Sequence, residues 1–193
     1  EGRNAWSVSE LAIFYLGAVN VPLSIKLEES NDLFFRLKHS DTKFLIVSNT
    51  QLRKVRSILK DLPLIEKVIV LGEHEGVLDN EISYDEVLRI GKENLKKNRN
   101  EIEALSKSVQ GNDLANISYT SGTTADPKGI MLSHRNYTAN VEQVMSLIRI
   151  EQSASNLIVL PLDHCFAHVA GFYAFMAYGA NIATVQVGKT PME

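Results

Sequence analysis

Apolar and polar positions along this chain fall into blocks that predict helices and strands by turns. Ser7 to Ala18 places Leu11, Phe14, Tyr15 and Ala18 on one helical face, and Ser7 with Glu10 has capping-box spacing. Val19 to Leu23 follows as an extended segment. A second helix is expected over about Asn31 to His39, with Leu33, Phe34 and Leu37 inward. Lys43 to Ser48 and Lys67 to Gly72 carry consecutive apolar residues, the mark of strands buried on both faces. Between them Leu52, Val55, Ile58 and Leu59 form a helical stripe. Glu73 to Ile82 reads as a polar loop. Ser83 and Glu86 open a helix through about Lys92.

The second half repeats the alternation. Asn116 to Tyr119 is a short buried strand. Ser133 caps a helix with Tyr137, Val141, Val144, Met145 and Ile148 on one stripe. A strand at Asn156 to Leu160, a helix over roughly Val169 to Tyr178 and a strand at Asn181 to Gln186 complete it. Strands alternating with helices over short links predict an α/β fold: a mostly parallel sheet flanked by helices in three layers, Rossmann-like. Residues 1–193 are expected to form one α/β domain, part of a larger one, with residues 94–112 as a charged helix or linker. A chain opening on a helix suggests that a strand precedes it.

Composition narrows the function classes. The 193 residues are 45% hydrophobic and 22% charged, ordinary values for a globular domain with one core. A net charge of −3 gives no general attraction to nucleic acid. The single cysteine, Cys165, excludes an internal disulfide framework and fits a reducing, cytoplasmic setting. Residues from Cys165 to Gly188 carry no formal charge, about 24 residues and long enough to span a bilayer. His168, Asn181 and Gln186 interrupt that run, and Gly179 to Asn181 reads as a helix stop, so a buried helix followed by a buried strand is expected.

Candidate chemistry concentrates in ISYTSGTTADPKGIMLSHR, Ile117 to Arg135. Thr120, Ser121, Thr123 and Thr124 supply hydroxyl donors, and Gly122 lets the backbone turn without a side chain. Lys128 adds a compact positive charge. The expected form is an anion cradle between a strand and a helix. It is not the common P-loop: counting from Gly122, Pro127 stands at the second glycine and Gly129 at the hydroxyl position. The dinucleotide fingerprint Gly-x-Gly-x-x-Gly is absent here as well. A polar surface turn has the same composition. A second polar loop, Leu160 to His168, reads LPLDHCFAH. A thiol nucleophile at Cys165 with a histidine base, a zinc site from Asp163, His164 and His168, and a helix cap with half-buried histidines are its three local readings.

The full pattern YTSGTTADPKG resembles the phosphate-binding signature of the adenylate-forming enzymes, which include acyl-CoA synthetases, luciferases and peptide-synthetase adenylation domains. LPLDHCFAHVAGFYAFMAYGA is similar to the segment that follows that loop in the family. The opening, from NAWSVSELAIFYLGAVNVPL onward, is similar to the family's start, so the resemblance covers nearly the whole chain. DLANISYTSGTTADPKGIMLSHRNYTANV most resembles long-chain fatty acid–CoA ligases. The resemblance implies that Thr120, Ser121, Gly122, Thr123, Thr124 and Lys128 hold the ATP phosphates, that Thr120 helps hold Mg²⁺, and that His164 sits near the reacting carboxylate. It implies ATP, Mg²⁺ and CoA as cofactor and co-substrates, a fatty acid substrate, and peripheral membrane contact through that lipid. It also implies that the adenine- and ribose-binding residues, a magnesium carboxylate and a mobile C-terminal domain lie downstream of Glu193, so that this stretch alone is inactive. Ala125 stands where the family usually has a second glycine. A non-catalytic nucleotide- or anion-binding module, and an adenylating ligase with another acceptor such as acyl carrier protein, are the alternatives.

Overall fold

A computed structural model describes residues 3–28, 32–120, 127–164 and 166–184. The chain divides into two compact units. One is built largely on residues 25–107. Helix α2 (Phe34–His39) leads into strand β1 (Phe44–Ser48), helix α3 (Leu52–Ile58), a 3-10 turn, strand β2 (Lys67–Leu71), the short strand β3 (Glu81–Ser83) and the long helix α4 (Tyr84–Ser108). The three strands form a parallel sheet in the order β1-β2-β3, with Ile46 opposite Ile69 and Ile69 opposite Ile82. Val68 and Val70 of the central strand are fully buried, as their apolar run predicts.

Strand β3 overlaps the end of the stretch expected to be a polar loop, Glu73 to Ile82, and takes in Ser83, expected to open the next helix. Three residues including a glutamate carry no strand signal of their own. A side-chain clamp accounts for the placement. The buried Glu81 carboxylate accepts from Arg56 Nε and Nη2, each at 2.7 Å, and from the Leu78 backbone N–H at 3.1 Å. Arg56 Nη2 also donates to the Glu75 and Gly76 carbonyls. One guanidinium of α3 thus folds the 73–80 loop back onto the sheet. The expected charged stretch continues α4 to Ser108, with a kink at Asn98 and no buried residue.

The other unit joins residues 3–24 to 108–120 and 129 onward. Helix α1 (Asn4–Tyr15) starts one turn before the Ser7 expected to cap it. The earlier start brings Trp6 onto the buried face, four residues from Glu10. Strand β4 (Leu114–Tyr119) pairs antiparallel with β5 (Gly129–Ser133), and helix α5 (His134–Leu147) follows at once. Ser133 is the cap that the sequence predicts. Its hydroxyl accepts from the Asn136 N–H at 3.3 Å, and Asn136 Oδ1 accepts from the Ser133 N–H at 2.8 Å.

Strand β6 (Ser155–Ile158) pairs parallel with β7 (Asn181–Thr184). Between them the expected helix is present but not regular. Ala167–Tyr173 is a π-helix, and only Ala174–Ala177, α6, is α-helical. Ile158, Leu162, Phe172 and Tyr173 form the core of this unit, with Trp6, Phe14, Tyr137, Val141 and Ile182 packed around them. Among the described residues no helix is long and apolar enough to cross a membrane.

Candidate functional site

The predicted cradle is a strand-to-strand connection, not a strand-to-helix one. Residues Gly129 to Ser133, expected as part of the approach to the helix, form β5 instead. Tyr119 sits opposite Gly129 and Ser118 opposite Ile130, which closes the base of the 120–128 connection. Gly129 has a packing reason. A Cβ there would lie 2.9 Å from Ile117 Cγ2 and 3.4 Å from the Tyr119 ring. Hydrogen lets the β4 side chains lie flat across the hairpin base.

Thr120 lies at one end of this connection, exposed, directly after β4. Lys128 lies at the other end, exposed, directly before β5. Ser121, Gly122, Thr123 and Thr124, with Ala125, fall outside the described residues. Strand β4 is held from its other side as well. The Asn20 N–H donates to the Ala115 carbonyl at 2.8 Å, and the Ile117 N–H donates to the Asn20 carbonyl at 2.9 Å, a parallel bridge.

His164 is exposed in the loop after β6. Its backbone N–H donates to the Pro161 carbonyl at 3.1 Å, and its Nδ1 accepts from the Phe166 N–H at 3.3 Å. A ring nitrogen that accepts carries no hydrogen, so Nε2 is the donor of the neutral ring. Leu162 anchors the loop in the core, while Phe166 remains 63% exposed. The structure therefore puts Thr120 and Lys128 at the two ends of one hairpin connection, and His164 in a separate loop of the unit that contains Thr120.

His168 does something else. As a zinc ligand or thiol base it would need a free ring nitrogen facing the loop. It is 2% exposed, and its Nε2 lies 2.7 Å from Glu10 Oε2. Its Nδ1 is 3.5 Å from the Tyr137 hydroxyl, and Trp6 meets its ring edge-on at a centroid distance of 5.3 Å. No group of three acid, histidine or cysteine side chains placed for a metal ion occurs among the described residues. Beside this pair Tyr173 Oη is buried without a hydrogen bond, and burial, with the Glu10 charge nearby, pushes its phenol far above the ordinary range.

Glu10 is the residue that spacing arguments misplace. It reads as the capping partner of Ser7, yet it is 2% exposed at mid-helix. The signal was its position, four residues from both Trp6 and Phe14 on the inward stripe. An acid on that line needs buried partners.

The sequence profile of the AMP-binding enzyme family matches residues 1–192, and the chain belongs to that family. Its fold is that of the family's N-terminal domains. It is 31% identical over 196 residues to long-chain-fatty-acid–CoA ligase 5 of Mus musculus, covering 93% of this chain and 27% of the mouse protein. It is 26% identical over 180 residues to a chloroplastic long-chain-fatty-acid–[acyl-carrier-protein] ligase of Arabidopsis thaliana, covering 88% of this chain and 25% of the plant protein. Among solved structures it superimposes with a TM-score of 0.75 on an anthranilate CoA ligase in complex with anthranoyl-AMP, at 22% identity, over 95% of this chain and 33% of the other. The chain thus spans a third or less of the length of these proteins.

Proposed function

We propose that this chain is the phosphate-loop portion of an acyl-CoA synthetase that activates a fatty acid with ATP. The observation that carries the reading is the β4–β5 hairpin. Its connection bears YTSGTTADPKG, begins at the Thr120 hydroxyl and ends at the Lys128 ammonium. In the proposed reaction a carboxylate oxygen bonds to the α-phosphorus of ATP while the bond to the bridging oxygen breaks, and pyrophosphate leaves with that electron pair. CoA thiolate then adds to the acyl carbon, and AMP leaves.

The donor set suits this chemistry. Hydroxyls and an ammonium group favour a polyanion, and Lys128 with Thr120, Ser121, Gly122, Thr123 and Thr124 would hold the β- and γ-phosphates. Mg²⁺, when bound, would offset phosphate charge, with the Thr120 hydroxyl as this chain's ligand and phosphate oxygens among the rest. The Nε2–H of His164 would donate to oxygen at the reacting carboxylate. The setting proposed is cytoplasmic, with membrane contact through the lipid substrate.

The test is ATP–pyrophosphate exchange with a panel of fatty acids. The complete protein is expected to exchange, and Lys128→Ala to lose at least about 100-fold, the scale of removing one transition-state charge contact. Residues 1–193 alone are expected not to exchange. Normal exchange by full-length Lys128→Ala would sink the assignment. The similarity to an acyl-carrier-protein ligase favours a second reading in which the acceptor is a carrier-protein thiol. Offering acyl-loaded enzyme CoA and acyl carrier protein in parallel separates the two.

A further inference from the structure

The buried pair of Glu10 and His168 joins positions 158 residues apart: Glu10 lies outside both candidate loops, and His168 is the last residue of the second. Each oxygen of Glu10 has its own donor. Oε1 accepts from Asn20 Nδ2 at 2.6 Å, and Oε2 accepts from His168 Nε2 at 2.7 Å. Asn20 is the residue whose backbone brackets β4 at Ala115 and Ile117, three residues before Thr120. His168 is the second residue of the π-helix, and its backbone N–H donates to the His164 carbonyl at 3.1 Å. One carboxylate on α1 therefore braces the strand that enters the cradle and the turn that carries His164.

A buried acid at such a junction is a costly choice for stability alone. An apolar pair of similar volume would serve as well or better. What the carboxylate offers is two acceptor oxygens at fixed separation. Glutamine imitates it only at a cost: with its amide oxygen on Asn20 Nδ2 its N–H faces His168 Nε2, so the ring must give up the Nε2–H tautomer and turn Nδ1 into the donor toward Tyr137. Trp6, Tyr137 and Tyr173 surround the His168 ring, with centroids 5.1–5.3 Å from its own.

We propose that Glu10 and His168 are positioning residues, a buried strut that sets His164 relative to the strand feeding the phosphate loop. As a statement about catalysis this rests on the adenylating function proposed above; as a statement about His164 it does not. Two measurements on the complete protein separate them. The first is the histidine ring ¹H–¹⁵N spectrum. Glu10→Gln is expected to shift the His164 Nδ1 resonance, because the turn that gives it the Phe166 N–H loosens. An unchanged His164 signal overturns the strut whether or not the protein adenylates anything.

The second is pyrophosphate exchange. Glu10→Gln is expected to lower kcat about 10- to 100-fold, the scale of a misplacement near 1 Å. His168→Gln, whose amide still donates to Glu10, is expected to keep most of the activity. His168→Leu should match Glu10→Gln, and the double variant should be no worse than either, since the pair acts as a unit. Far-UV circular dichroism and the urea midpoint report whether each variant is folded. Wild-type kcat in folded Glu10→Gln, or losses that multiply in the double variant, would overturn the proposal. A wild-type protein without exchange removes the adenylation reading and leaves the His164 spectrum to decide the strut.

Discussion

Replacing Gly129 by alanine tests the geometry at the base of the cradle. The added methyl would lie 2.9 Å from Ile117 Cγ2 and 3.4 Å from the Tyr119 ring. The nearer contact requires a shift, and neither neighbour is the free end of a flexible chain. Forcing a methyl into such a place costs about 1–3 kcal/mol. Alanine also restricts the unfolded chain, which returns about 0.4–1 kcal/mol. The net expectation is a loss of about 0–2.6 kcal/mol.

These 193 residues contain one tryptophan, Trp6, and it packs against the core of the unit that holds this hairpin, so the urea measurement is made on this stretch. Urea unfolding followed by its fluorescence therefore reports the relevant unit. A double-mutant cycle isolates the clash. Ile117→Ala removes the Cγ2 atom, so Gly129→Ala should cost at least about 1 kcal/mol less in that background than in wild type. If Ile117→Ala gives no relief, the packing argument is wrong. Gly129 would then be needed for another reason.

Ser133→Ala removes the acceptor for the Asn136 N–H and should cost about 0.5–2 kcal/mol by the same fluorescence assay. An unchanged midpoint would refute the capping role. Tyr173→Phe removes a buried hydroxyl that makes no hydrogen bond, so the urea midpoint should stay level or rise; a clear fall would reveal a partner for that hydroxyl. The Arg56 hydrogen bond holds the Glu81 carboxyl below its ordinary value. Its stabilisation is complete above the ordinary carboxylate value of about 4.3 and is lost as pH falls through the lower folded value. Hydrogen exchange at Val68 and Val70 should accelerate across that interval, and Glu81→Gln should flatten the acid response of those amides.

The sequence exposes what local spacing encodes. The runs at Lys43 to Ser48 and Lys67 to Gly72 end in β1 and β2, and the stripe from Tyr137 to Met145 becomes α5 behind its Ser133 cap. Strand β5 was hidden because Pro127 and Gly129 punctuate it as a loop, and because its partner is chosen by pairing rather than by its own period. Strand β3 depends on a guanidinium from another element. His164 and Lys128 could be picked out because they stand in motifs. Glu10 and His168 could not be joined, since no local rule links positions 158 residues apart. The apolar run from Val169 to Tyr178 announces a helix but not its pitch.

That pitch has an evolutionary reading. A π-helix is an α-helix carrying a surplus residue, and here the wide turn lets Asn156 Nδ2 reach the Gly171 carbonyl at 2.7 Å. Losing one codon between Ala167 and Tyr173 would restore ordinary winding and rotate everything upstream by about 100° around the axis. A single small deletion is thus enough to re-aim the His164 loop. Relatives whose sequences need a one-residue gap at this place should present a different side chain where His164 stands.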